Sequence, residues 1–252
     1  MVERLLWEQE VVGSNPASPT IIDRYMEFRT GPEWDLRTIT LKPKPKIGVL
    51  VSSGIDSTTL LNLLYQNFKE TTDIRIFNVQ TNEDPEKPLI DNILRELHIP
   101  LQLEIVGRSR RLWPMTAHYP RLCKAFQDIR DTTDCEELYC GNILTPHPQW
   151  FNRWNPKQSG IAKRPWLTND TFLKNPFEHL EKYHVIDLGR RHGFDSIYKH
   201  TISCNIHATV PCGNCMGCEE EKWGYYQLDN EKGSTLDEMT NDGVMKYGDI
   251  GW

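Results

Sequence analysis

The sequence lacks several features that define whole classes of protein. No apolar run approaches the roughly 18–20 residues of a membrane-spanning helix, and no basic start followed by an apolar core indicates a signal peptide. Positive charge is not in excess either: the net charge is −6, which argues against general nucleic-acid binding. We therefore expect a cytoplasmic protein that needs no membrane and no direct nucleic-acid contact. Its 252 residues suit one large α/β domain with appendages.

Disulfides are not expected in that compartment, so the cysteines call for another explanation. Four of the seven follow the spacing C-x7-C-x2-C-x2-C, namely Cys204, Cys212, Cys215 and Cys218. Four thiolates within 15 residues can converge on one tetrahedral ion, which predicts one Zn²⁺ per chain. Since four sulfurs leave no position for water, this zinc is expected to be structural.

Two other ligand sets remain open for this cluster. An iron–sulfur cluster is the main alternative, although the run lacks the final Cys-Pro of bacterial ferredoxins. His207 replacing one cysteine is the second. The scattered Cys123, Cys135 and Cys140 are predicted to be ordinary core or half-buried thiols.

A turn of small residues follows the first predicted strand, Ile47 to Ser52, and precedes a helix from Asp56 to about Phe68. Backbone N–H groups at such a junction lack helical partners, and the helix dipole adds about half a positive charge, so the junction favours an anion. No G-K-[ST] follows, which excludes a Walker loop. The alternative is an ordinary strand–turn–helix with a cluster of N-cap residues.

Further along the chain, strands and helices alternate. Strands are predicted at 73–79, 101–106 and 137–140, and helices at 88–97, 120–132 and 176–192. This rhythm predicts an α/β fold with a doubly wound parallel sheet that is covered on both faces.

Two groups of residues carry a resemblance to a known family. Ser52-Ser53-Gly54-Ile55-Asp56-Ser57 resembles the S-G-G-x-D-S signature of the PP-loop ATP pyrophosphatases, with Ser53 in place of the first glycine. Together with the four cysteines, the segments 176–189, 201–204 and 211–215 resemble the 7-cyano-7-deazaguanine synthases. The resemblance implies an adenine-nucleotide alpha-hydrolase-like fold and a homodimer. It also implies a ligase that converts 7-carboxy-7-deazaguanine and ammonia to the nitrile with ATP and Mg²⁺, through adenylated intermediates.

The resemblance also implies roles for individual residues. ATP would be bound by the loop residues Val51, Ser52, Ser53, Gly54, Ile55, Asp56, Ser57 and Thr58, with Phe77 and Asn78 near the adenine. Asp56, Ser57 and Lys182 are the expected catalytic residues. Asp56 would orient the loop or hold Mg²⁺, with a helix N-cap as the alternative, and Lys182 would lie near the phosphates unless it is simply solvated.

Arg121, Asn142 and Arg153 are weaker candidates for holding the substrate carboxylate. They lie near or within residues 141–175, a tryptophan-rich insert. The insert stands where the family has substrate-contacting residues. It is either a lid over the substrate or a surface loop held in place by its aromatic side chains.

We interpret the domain organisation as four segments. Residues 1–40 form an N-terminal extension, non-native or disordered, and 41–203 form the PP-loop ATP-binding domain with the insert 141–175. Residues 204–226 form the zinc-binding segment and 227–252 a polar tail. Two other functions stay open: another PP-loop enzyme, such as a tRNA thiolase or an amide-forming ligase, and a non-catalytic zinc-containing nucleic-acid-binding protein.

Overall fold

The structure, a computed structural model, describes residues 25–81, 86–109, 118–144, 171–204, 210–213 and 215–229. In chain order the elements are β1 (Met26–Thr30), β2 (Arg37–Leu41), β3 (Lys46–Leu50), α1 (Ile55–Phe68), β4 (Asp73–Thr81), α2 (Lys87–Glu96), β5 (Leu103–Ser109), α3 (His118–Thr132), β6 (Glu137–Tyr139), β7 (Leu173–Lys174), α4 (Lys182–His192) and α5 (Met216–Asp229). Two 3₁₀ turns, Glu33–Asp35 and Asp195–His200, complete the described set.

Five strands form one parallel sheet in the order β5-β4-β3-β6-β7. The chain passes from β3 outward to β4 and β5, and then crosses back to place β6 on the other side of β3. In sheets of this kind ligands bind at such a reversal, beyond the carboxyl ends of the strands. The loop that follows β3 therefore lies where the topology favours a ligand.

Helices cover both faces of the sheet, as the sequence rhythm predicts. One face of β3, with Ile47 and Val49, belongs to a core cluster that also holds Leu60 and Leu64 of α1 and Val185 of α4. On the opposite face, a second cluster joins three strand residues to Ile129 of α3: Phe77, Leu138 and Leu173. Gly48 lies on that second face, where a Cβ would come within 2.8 Å of both Phe77 and Leu138, so only glycine lets these side chains meet across β3.

The predicted α/β fold with a parallel sheet is confirmed, and its strands and helices differ from the predicted bounds by a few residues in most cases. The last helix of the sheet domain is the exception, since it begins at Lys182 and not at Pro176. Residues before it form a turn in which the Leu180 N–H donates to the Phe177 carbonyl over 2.9 Å. Phe177 and Leu180 are buried three positions apart, a spacing that resembles a helix in the sequence.

A second difference lies in residues 26–41, which we interpret from the sequence as part of a structureless extension. They form an antiparallel hairpin of β1 and β2. Phe28, Ile39 and Leu41 are buried in the same cluster as the sheet. Each strand is five residues long, too short for its alternation to stand out. Residues 1–24 lie outside the described part of the chain.

At the other end of the described chain, α5 runs through the predicted boundary at residue 226 to Asp229. Cys135 and Cys140 are buried thiols, as expected, whereas the side chain of Cys123 lies outside the described set. Among the described residues, no helix is both long enough and apolar enough to span a membrane.

Candidate functional site

The loop between β3 and α1 is closed by its own hydroxyl groups. The Ser52 N–H donates to Ser57 Oγ over 3.0 Å, and the two serine Oγ atoms lie 3.1 Å apart. The Gly54 N–H donates to Ser52 Oγ over 3.2 Å. Gly54 is the N-cap of α1 and no side chain caps the helix, so the first-turn N–H groups are not consumed by a capping residue. The alternative of an N-cap role for Asp56 is therefore wrong.

Ser53 has a backbone that serine adopts without strain. Among the described residues, His98 is the only non-glycine residue with positive φ, so the missing glycine of the family signature is not required here by conformation. The residue is 3% exposed and contacts the segment 201–203. Its carbonyl accepts the Ile202 N–H over 2.7 Å, and its hydroxyl donates to the Ile202 carbonyl over 3.4 Å.

The half-buried Asp56 of this loop forms an ion pair with the buried Lys182. Lys182 Nζ donates to both carboxylate oxygens of Asp56, over 2.8 and 2.7 Å. The lysine side chain is 2% exposed, so the alternative of a solvated surface lysine is wrong. Burial on its own would lower the pKa of Lys182, but the Asp56 and Glu220 carboxylates outweigh it and raise that pKa, which keeps the ammonium charged.

Helix α5 contributes two carboxylates near Lys182, and no sequence motif marks them as site residues. Glu220 Oε2 lies 3.5 Å from Lys182 Nζ, on the ammonium that Asp56 also contacts. Burial raises the pKa of the neighbouring Glu221, against the opposing effects of the Ser203 hydroxyl and the Lys182 charge. Gly224 allows this approach, because a Cβ there would lie 2.7 Å from Lys182 Cγ. In the sequence these residues are visible only as an acidic run after the last cysteine.

The neighbouring strands also contact the loop. The Val51 N–H donates to the Phe77 carbonyl over 2.8 Å, and Asn78 Nδ2 donates to the Val51 carbonyl over 2.8 Å. At the end of β6, Gly141 packs against the backbone of Asp56, where a Cβ would lie 2.9 Å from the Asp56 carbonyl oxygen. Glycine is required at 141 for the two segments to approach so closely.

The structure brings together most, but not all, of the predicted site residues. The loop 51–58, Asn78 and Lys182 lie in one region, whereas the Phe77 ring is fully buried in the second core cluster. Asn142 donates from its backbone to Asn175 and from its amide to Cys140 Sγ over 3.4 Å. Arg121 lies in α3 with its side chain outside the described set, and Arg153 lies outside the described residues.

The four clustered cysteines converge as their spacing predicts. The Sγ atoms of Cys204, Cys212, Cys215 and Cys218 all lie within 4.8 Å of one another, and those of Cys204 and Cys215 are 3.7 Å apart. A tetrahedral ion with metal–sulfur distances near 2.3 Å requires sulfurs about 3.8 Å apart. The arrangement therefore fits one ion, while an iron–sulfur cluster would spread the sulfurs over separate irons. His207 lies outside the described residues.

Fold and site together define an α/β protein with a strand–turn–helix loop at the reversal of a parallel sheet and four cysteines placed so that they could hold a metal ion. No protein-family model matches the chain, and no curated protein sequence matches it. Similar solved structures include the U34-tRNA thiolase NcsA from Methanococcus maripaludis with its [4Fe-4S] cluster. The two share 16% identity at a TM-score of 0.47, over 81% of this chain and 72% of that one. So distant a likeness supports no inference about substrate or metal.

Proposed function

We propose that the protein is a PP-loop ATP pyrophosphatase, which transfers adenylate from ATP to a substrate oxygen and releases pyrophosphate. The observation that carries this proposal is the ion pair between the buried Lys182 and Asp56 of the loop 52–57, at the reversal of the sheet. An ordinary strand–turn–helix on the surface gains no function from a lysine ammonium held out of water. A site that binds polyphosphate does, because such a cation stabilises the phosphate charge.

The residues of the loop would act by positioning and by stabilising charge. First-turn N–H groups and the hydroxyls of Ser52 and Ser57 would hold the phosphates, and Lys182 would offset the charge on the departing pyrophosphate. ATP would bring Mg²⁺ with it, and Asp56 is a carboxylate of the loop itself that could contact the ion. The substrate oxygen attacks the α-phosphorus, the bond to the bridging oxygen breaks, and pyrophosphate leaves with that electron pair.

We further propose that the substrate is 7-carboxy-7-deazaguanine and that ammonia is the second substrate. The carboxylate would be adenylated, and ammonia would attack its carbon, expel AMP and lose a proton to give the amide. The amide oxygen would then be adenylated by a second ATP, and this oxygen would leave with AMP as the nitrogen gives up its two protons to form the nitrile. Support for this finer proposal is the combination of the loop with a single-ion site of four cysteines, which we propose holds structural Zn²⁺.

A tRNA thiolase is the second candidate, and one observation favours it. Cys140 directly follows β6 and precedes Gly141, which packs on the loop, so its thiol lies near the loop that we propose binds ATP. Cys140 is buried, and its sulfur accepts a hydrogen bond from the Asn142 amide. It would have to become accessible to act as a nucleophile.

The test is release of AMP and pyrophosphate on mixing the full chain with Mg-ATP, ammonia and 7-carboxy-7-deazaguanine. We expect AMP formation that depends on the base and falls at least about a hundredfold in Lys182→Ala, because transition-state charge loses its partner. Lys124→Ala is the control, since that lysine is exposed on α3 and pairs with Asp128.

The assay is repeated with other carboxylates, and with tRNA and a sulfur donor, so that each result decides between the proposals. Turnover with another carboxylate, but not with the deazaguanine, would contradict the ligase and keep the ATP pyrophosphatase. Sulfur transfer to tRNA would favour the thiolase, and no AMP with any of these substrates would contradict the class.

A further inference from the structure

The cysteine site and the ATP loop are connected at two points. The first is the pair of hydrogen bonds between Ser53 and Ile202. The Ile202 N–H donates to the Ser53 carbonyl, and the Ser53 hydroxyl donates to the Ile202 carbonyl. Ile202 precedes the first metal ligand, Cys204, by two positions. Displacement of Cys204 would therefore reach Ser53 through a very short stretch of chain.

The second connection begins at the other end of the cysteine site. Cys218 lies in the first turn of α5, where the Glu219 N–H donates to the Cys215 carbonyl over 2.9 Å. Glu220 follows Cys218 by two positions and contacts the Lys182 ammonium. Lys182 in turn holds Asp56, three residues after Ser53. These contacts form a closed ring that contains the loop, α4, α5 and the cysteines.

We propose that the metal centre positions the ATP loop, with Glu220 as the positioning residue that transmits its effect to Lys182. The inference rests on the proposed function. The described stretches that precede α5, 201–204 and 210–213, belong to no helix or strand, so backbone ladders do not fix the distance between Ile202 and Glu220. A bound ion that joins Cys204 to Cys218 would fix it.

Two variants of the full chain separate this role from general stability. Glu220→Gln removes the charge next to Lys182 while keeping the shape. Asp229→Asn removes a different α5 carboxylate that pairs with α4, through Arg190 over 2.9 Å at an exposed position. We expect Glu220→Gln to weaken ATP binding about tenfold, measured by calorimetry, with metal content unchanged. Asp229→Asn should stay within about twofold of the parent.

Metal depletion by a chelator provides the second arm of the experiment. Depleted protein should lose ATP affinity by at least as much as Glu220→Gln, and depletion of that variant should add less than it does in the parent, because both changes break the same ring. Elemental analysis should find one zinc per chain before depletion. Hydrogen exchange of the peptide containing residues 52–57 should speed up on depletion, in protein that keeps its circular dichroism spectrum.

The outcomes distinguish this inference from the proposed function. Unchanged ATP affinity in folded, metal-depleted protein would overturn the inference, and so would equal effects of Glu220→Gln and Asp229→Asn. If the parent binds no ATP, the proposed function fails, while faster exchange of residues 52–57 on depletion still supports the coupling and unchanged exchange overturns it. If depletion unfolds the chain, the comparison of the two metal-loaded variants alone decides.

Discussion

At the scale of single residues, Ser53 shows how a departure from a sequence signature is accommodated. Its φ is negative and its hydroxyl lies on the Ile202 carbonyl, so the extra atoms point to a neighbour and not into the loop. A glycine here would lose one long hydrogen bond and gain conformational freedom in the unfolded chain, which together cost about 1–2 kcal/mol of stability.

We therefore expect Ser53→Gly to keep ATP-dependent AMP release within about threefold of the parent. Ser57→Ala is the matched comparison, because the Ser57 hydroxyl bonds to both the backbone and the side chain of Ser52. It should lower the rate at least about tenfold. Equal losses in the two variants would mean that the hydroxyl at 53 takes part in the reaction.

Lys182 shows the limit of residue-by-residue prediction. Its proposed role near the phosphates comes from its match to a family position, whereas its burial depends on three elements that meet around it. Asp56 comes from α1, Glu220 from α5, and Gly224 leaves the space for its aliphatic chain. None of these partners lies within reach of a local sequence pattern, because the nearest is 38 positions away.

At the scale of elements, the hairpin of β1 and β2 contacts α4 both at the start of the helix and further along it. The His184 Nε2–H donates to the Asp35 carbonyl over 3.0 Å, and the Glu181 N–H donates to His184 Nδ1. Burial lowers the pKa of His184 to about 4, so the ring is neutral and can accept at one nitrogen while it donates at the other. The Gly31 N–H donates to Asp187 over 2.7 Å, further along the helix.

Two glycines with positive φ, one in the docked hairpin turn and one at an open helix end, allow the cost of a substitution at each kind of position to be compared. Gly31 has φ +100°, and a Cβ there would lie 2.3 Å from the Asp35 carbonyl oxygen and 2.6 Å from the His184 ring. Gly193, which ends α4, has φ +72° and nothing within 4 Å of such a Cβ.

In urea unfolding, Gly193→Ala should lower the free energy of unfolding by about 1 kcal/mol, the usual cost of this backbone conformation. Gly31→Ala should cost about 2–4 kcal/mol, because the methyl group also collides with two docked groups. Similar losses in both variants would show that the hairpin turn does not sit tightly against α4.

At the scale of the whole molecule, the sheet was readable from the sequence while the boundary of the domain was not. Buried strands such as Lys46–Leu50 and Asp73–Thr81 carry continuous or alternating apolar residues, and the cysteine spacing encodes its own geometry. The hairpin is different because its stability depends on tertiary contacts with the core and not on a local sequence pattern. Phe28 and Ile39 are ordinary isolated hydrophobic residues until the core forms around them.

This difference predicts the effect of shortening the chain. Removing residues 1–25, so that the chain starts at Met26, should leave the Tm within about 2 °C, since β1 and β2 keep their contacts. Removing residues 2–42 deletes three buried apolar side chains, Phe28, Ile39 and Leu41, each worth about 2–5 kcal/mol. That loss is comparable with the whole stability of a domain, so the shorter chain should be insoluble or melt at least about 10 °C lower. An unchanged Tm in the shorter chain would contradict the assignment of the hairpin to the core.

The ring of contacts through Ser53, Lys182 and Ile202 has a consequence for the order in which the protein is made. The partners of the loop lie 126 positions away for Asp56 and 149 for Ser53, on the C-terminal side. A ribosome that has just finished β6 has already synthesised the entire loop, but it has not yet synthesised Lys182, which pairs with Asp56, or Ile202, which bonds to Ser53. The proposed ATP site is therefore incomplete in the growing polypeptide, and it is assembled only once translation has delivered the C-terminal elements.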